Sequence, residues 1–210
     1  MRNTPSGGEN DEKTAMKPLE NLSKYRVILG SSSPRRRELL ADLGVQFEVM
    51  VLKGIDESYP HDLPTEMISQ YISDRKADAY SEIIKDNELV ITSDTIVVLD
   101  GKVYGKPSDE TDARRMLGEL SGRVHQVITG VTISTRERRS SFHVVSDVEF
   151  ACLSSDEIDY YVSNYRPLDK AGAYGIQEWI GSIGVRNISG SFYNVIGLPV
   201  QRLYAELKTY

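Results

Sequence analysis

The chain has 210 residues, 40% hydrophobic and 27% charged, enough to bury a substantial core as one domain or as two lobes sharing a sheet. With 25 Lys and Arg against 31 Asp and Glu, its formal charge of -6 argues against a general nucleic-acid binder. The lone Cys152 excludes an intrachain disulfide and points to a reducing compartment, the cytoplasm, while His61, His125 and His143 are too scattered for a zinc motif. No apolar run approaches the ~20 residues of a membrane helix.

Residues 1–23 are polar and aperiodic and read as a flexible extension; Glu9, Asp11 and Glu12 place acid where a transit peptide carries arginine. The folded domain is expected over residues 24–210. Tyr25-Arg26-Val27-Ile28-Leu29 reads as a short buried strand, followed by a turn at Gly30 and the serines. Pro34 suits the first turn of a helix capped by Ser33, with Leu39, Leu40 and Leu43 as its apolar face and Gly44 as its stop. Arg35, Arg36 and Arg37 then crowd a helix start that is already positive, at about 0.3 to 1 kcal/mol each. An anion held between the amides and guanidinium groups reverses that penalty, so the stretch reads either as a phosphate cradle or as a solvated basic turn. It is not a Walker A loop, because GxxxxGK[ST] is missing.

Phe47-Glu48-Val49-Met50-Val51 reads as a strand, and Asp56 and Glu57 place two carboxylates in the loop that leaves it, either as ligands of a hard cation or as ordinary acidic loop residues. A helix is expected over residues 65–84, with Ile68, Ile72, Ala79 and Ile83 on one stripe and Lys76 among them, snorkelling to solvent or touching a ligand. Residues 89–99 form the most apolar run, rich in β-branched side chains, and mark a central strand. Asp94 sits in its middle, where an unpaired carboxylate costs several kcal/mol and must be paired, protonated or bound to metal. A hairpin at Asp100-Gly101 returns Lys106 toward Asp94, to meet a phosphate or an acid.

Ser108 is the expected cap of a helix carrying Ala113, Met116, Leu117 and Leu120, stopped by Gly122. Residues 124–135 and 142–152 read as an antiparallel ribbon, and Ser154 with Glu157 as a capping box for a helix to about Asn164. Residues 169–177 are small and glycine-rich, either a turn-rich linker or a loop whose backbone approaches a ligand while Lys170 and Gln177 contact it. A last strand over residues 186–189 and a closing helix over residues 200–207 complete the chain.

In this order the chain resembles the Maf family of nucleoside triphosphate pyrophosphatases. The likeness rests on Leu29-Gly30-Ser31-Ser32-Ser33-Pro34-Arg35-Arg36, Gly54-Ile55-Asp56-Glu57, Arg75-Lys76-Ala77, Ser93-Asp94-Thr95, Gly105-Lys106-Pro107 and Leu120-Ser121-Gly122. It continues through Asp169-Lys170-Ala171-Gly172-Ala173-Tyr174-Gly175-Ile176-Gln177 and Gly197-Leu198-Pro199, and the departures are Gly30, where the family often has Ala, and the extension. The resemblance implies an α/β fold shared with inosine triphosphatases of the Ham1 kind: a long curved mixed sheet flanked by helices, with two lobes and a central cleft. It implies hydrolysis of dTTP or UTP to the monophosphate and pyrophosphate. Ser31, Ser33, Arg35 and Arg36 would hold phosphates, Lys76 and Lys106 balance their charge, and Gln177 line the pocket. Asp94 and Glu57 would hold the divalent metal ion, Mg2+ or Mn2+, with Asp94, Glu57 and Lys106 as the catalytic set. The expected partner is the nucleoside triphosphate, with no stable nucleic acid and no membrane, and with a homodimer left open. Three other readings stay open: a 7-methyl-GTP pyrophosphatase, a pyrophosphatase of non-canonical purine nucleotides, and a non-catalytic nucleotide sensor linked to cell division.

Overall fold

The computed structural model describes residues 18–210, so most of the expected extension lies outside the described residues. What is described of it, with the following residues, forms a 3-10 turn, Glu20–Lys24, with Leu22 in the core. The first unit is β1 (Arg26–Leu29), α1 (Pro34–Asp42) and β2 (Phe47–Val49). α2 (Ile68–Ser81) follows a 3-10 turn and leads to β3 (Glu88–Leu99) and β4 (Lys102–Tyr104). Then come α3 (Glu110–Leu120), β5 (Val124–Ser134), β6 (Arg139–Phe150) and α4 (Ser155–Tyr165). The chain closes with α5 (Trp179–Gly184), β7 (Val185–Ser189), α6 (Phe192–Ile196) and α7 (Val200–Leu207).

The strands make one mixed seven-stranded sheet in the order β2-β1-β3-β5-β6-β7, with β4 also on β3. β1 runs parallel to β2 and β3, which requires helical crossovers, and the remaining pairs are antiparallel. β3 is the hub, and its alternation divides the core. Leu89, Ile91, Val97 and Leu99 pack with α1, α3, α4 and α7 through Leu40, Leu117, Tyr161 and Leu203. Val90, Ile96 and Val98 pack under α2, against Tyr80, Ile68 and Ile72. The helix lies close: a Cβ added at Gly130 of β5 would fall 2.3 Å from the Gln70 amide nitrogen.

On one edge β3 changes partner. Residues 88–91 pair with β1 and residues 97–99 with β4, while β5 follows the other edge through residues 90–98. The stretch 92–96 therefore has no strand on one side, and Asp94 lies at its centre.

Several local expectations are corrected. The helix expected to reach residue 84 ends at Ser81, Ile83 is 51% exposed, and the buried side of α2 is built from Ile68, Ile72, Ala77 and Tyr80. Asp109 caps α3 in place of Ser108, by accepting from the Asp112 amide at 2.8 Å, because it sits one residue nearer the first turn, while the Ser108 amide and hydroxyl donate to the Asp112 carboxylate. The ribbon's second strand starts at Arg139, earlier than expected, because β5 pairs it down to Ser134. The capping box at Ser154 and Glu157 is present, as is the Ser33 cap of α1.

Candidate active site

The gap beside β3 opens into a cavity of about 600 Å³, at the carboxyl end of β1 where α/β sheets place their ligands. Its lining includes Ser31, Ser33, Arg35, Arg36, Glu57 and Lys76, and also Asp94, Lys106 and Gln177. The nine residues to which the family resemblance gave a role at substrate or metal thus line one cavity. Asp56 does not join them: its carboxylate turns to Ser58 and Arg75, and only Glu57 of that pair reaches the cavity.

Arg36 reaches from α1 across the gap. Its Nε donates to the Gly197 carbonyl at 2.9 Å, Nη1 to the Ser93 carbonyl at 2.8 Å, and Nη2 to the Thr95 hydroxyl at 3.0 Å. Ser93 is a backbone acceptor left over where β1 departs from β3, so the guanidinium replaces a missing strand. Burial pulls the Arg36 pKa down while the Asp94 charge pulls it up; the side chain stays a cation, set as a fixed charge behind the cradle. Ser33 uses its hydroxyl to cap the Arg36 amide at 3.4 Å, and Ser31, 8% exposed, accepts weakly from the Ser33 amide and Arg36. Arg35 is the arginine of the helix start left facing the cavity, and Arg37 points to solvent.

Asp94 is paired, as its burial required. Lys76 Nζ lies 2.8 Å from Asp94 Oδ1 and 3.2 Å from Glu57 Oε1, with Lys76 and Asp94 only 14% and 15% exposed. Lys76 thus turns inward instead of snorkelling, since a carboxylate on the facing strand offers more than solvent on the rim. Lys106, on the segment after β4, is an exposed part of the lining.

The wall opposite is the glycine-rich loop. Asp169 pairs with Arg35 at 2.8 Å and with Lys170 at 2.7 Å, and Lys170 also reaches Glu178 at 3.1 Å. Burial works to raise the Asp169 carboxyl, yet hydrogen bonds from Lys170 and Arg35 hold it down to about 2. Gly175 lacks a side chain because a Cβ there would meet Glu178 and the Lys170 stem at 3.0 Å, so it serves the protein's own packing. Sequence reasoning gave no role to Thr95, Asp169, Glu178 or α6. Thr95 and Asp169 were marked only by membership in the matching segments, and Glu178 and α6 fall outside them, because their roles depend on partners that no local pattern reveals.

Among the described residues no group of three or more His, Cys, Asp and Glu gathers to hold a metal. Two carboxylates do converge, on the point now taken by the Lys76 ammonium. That donor set suits Mg2+ or Mn2+, which take one or two carboxylates and complete their shell with water and phosphate oxygens. No described helix is long and apolar enough to cross a membrane.

The fold is that of a Ham1 protein from Staphylococcus aureus, with a TM-score of 0.50 over 88% of this chain and 98% of that one, at 18% identity. Proteins named dTTP/UTP pyrophosphatase match over nearly their full length. The one from Phocaeicola vulgatus is 60% identical over 90% of this chain and 98% of its own. Those from Porphyromonas gingivalis W83 and Flavobacterium johnsoniae are 53% and 44% identical, over 91% and 90% of this chain and 98% and 97% of theirs. A family model described as Maf-like protein matches residues 26–210, and with a carboxylate at the centre of β3 and an arginine-rich helix start on one cavity, this chain belongs to the Maf family.

Proposed function

We propose that the protein is a nucleoside triphosphate pyrophosphatase acting on dTTP and UTP, releasing the monophosphate and pyrophosphate. The observation that carries this reading is the meeting of Asp94, paired through Lys76 to Glu57, with the Arg35 helix start in one cavity of nucleotide size. Relatives at up to 60% identity bear the name of that activity.

In this mechanism the α1 start and Arg35 bind the phosphate chain, with Arg36 as a fixed charge behind it. Lys106 balances charge from the opposite rim, and Gln177 lines the pocket wall. Asp94 accepts a proton from a water whose oxygen attacks the α phosphorus. The bond from that phosphorus to the α,β-bridging oxygen breaks, and pyrophosphate leaves with the electron pair, its charge met by Arg35 and Lys106. Asp94 and Glu57 would hold Mg2+ or Mn2+, which supplies Lewis-acid charge to the phosphate oxygens. The turn serines have no histidine partner in the cavity, so no side-chain nucleophile is invoked.

Pyrophosphate release from dTTP, UTP, inosine triphosphate and 7-methyl-GTP, each with and without Mg2+ or Mn2+, tests the reading. Metal-dependent turnover favouring dTTP and UTP is expected. Preference for either purine nucleotide replaces the substrate, and nucleotide binding without turnover replaces the enzyme with a sensor.

A further inference from the structure

The proposed chemistry leaves unused a row of charges that runs from the cavity wall into the core. Asp169 divides its carboxylate, Oδ2 accepting from Arg35 at 2.8 Å and Oδ1 from Lys170 at 2.7 Å. Lys170, 9% exposed, reaches on to Glu178 Oε1 at 3.1 Å. Glu178 accepts the Tyr161 hydroxyl, and that oxygen accepts the Gly175 amide at 3.0 Å. The row is anchored at its buried end, where Tyr161 is fully covered, and emerges at Asp169, whose side chain is 55% exposed. Lys170 would be neutralised by Glu178 alone; the second carboxylate is surplus to burial and faces Arg35, the cavity-lining arginine of the helix start whose guanidinium is not tied to the protein's own backbone.

We infer that Asp169 is a positioning residue, acting through Arg35 to hold its guanidinium ready for a phosphate chain while Lys170 and Glu178 hold Asp169. The inference rests on the reading of the cavity as a triphosphate site. An arginine side chain is rich in rotamers, and one already ordered loses less conformational entropy on binding. Asp169 engages Nη1, leaving the other donors of the fork to a ligand. A latch that competed with phosphate for Arg35 would have the opposite effect, so affinity decides between the two.

The test titrates the full chain with inorganic tripolyphosphate in EDTA by calorimetry, beside steady-state hydrolysis of dTTP with Mg2+. Asp169→Asn, of the same shape, is expected to weaken tripolyphosphate binding about fivefold and to raise KM for dTTP by a similar factor, with kcat changed less than about twofold. In an Arg35→Ala background the same substitution changes affinity less than about twofold, because the side chain it acts through is gone. Asp169→Glu restores part of the loss. Should Asp169→Asn not fold, Glu178→Gln, which still accepts from Tyr161, weakens binding in the same direction. Unchanged or tighter binding in the folded variant, an equal loss in both backgrounds, or no tripolyphosphate binding by the wild type overturns the inference. Binding and coupling as expected, with no wild-type turnover of dTTP or UTP, support it and overturn the proposed reaction instead.

Discussion

At Lys76 an ammonium stands where two carboxylates converge, so removing it exposes what the site does with unbalanced charge. Lys76→Met keeps the apolar stem and leaves Asp94 and Glu57 facing each other. We expect a melting temperature lower by about 5 °C or more in EDTA, and a larger rise on adding Mn2+ than in the wild type. An equal rise in both would detach Lys76 from the metal site. Asp94→Asn is expected to lower turnover at least about a thousandfold while the melting temperature stays within a few degrees, and near-normal hydrolysis would remove Asp94 from the mechanism. Asp94 was legible in the sequence because a carboxylate inside a β-branched run must be explained. The direction of Lys76 was not, because its partner lies 18 residues away on another element. Asp169 was hidden for the same reason, 134 residues from Arg35.

Elements with a strong period or a cap were readable: β3 by its apolar run, α1 by Ser33 and Pro34, α4 by its capping box. α5 and α6 were not. They have six and five residues, too few for a helical stripe to declare itself. α6 is instead held from outside, by Asn194 Nδ2 donating to the Val127 carbonyl and the Ser146 hydroxyl, both at 3.0 Å. That anchorage sets the Gly197 carbonyl against Arg36, so a segment with little local signal completes the cradle. The placement of α2 depends on Gly130. Gly130→Ala would put a methyl against the Gln70 amide, pushing the helix outward and Lys76 with it. Urea unfolding should show a loss of about 2 kcal/mol or more, accompanied by a fall in kcat/KM; wild-type values of both would mean that the helix has slack.

Across the whole molecule, stability carries a pH dependence rooted in the core. His125 is 1% exposed, with Nε2 2.8 Å from the Tyr174 hydroxyl and Nδ1 unpartnered among the described residues. Burial lowers its pKa from 6.5 to about 4, so between those values the unfolded chain binds a proton that the folded chain refuses. The stabilisation is complete above pH 6.5 and is lost as pH falls toward 4, on the order of 3 kcal/mol in all. Asp169 and Glu119, both held to about 2, lose theirs only at lower pH. Chemical denaturation at pH 7 and pH 5 should show the drop, and His125→Gln should flatten it; a slope unchanged in that variant assigns the proton elsewhere. The seven-stranded sheet was legible as a mixed α/β architecture, but the change of partner along β3 was not, since it depends on where two other strands stop. A bare strand edge ordinarily invites a foreign chain to add on and starts aggregation. Here the bare stretch is five residues, 92–96, roughly 17 Å long, with β1 closing one end and β4 the other. An intruding peptide has no run in which to lie there, so the opening proposed to admit a small phosphorylated molecule is too short to template a further strand.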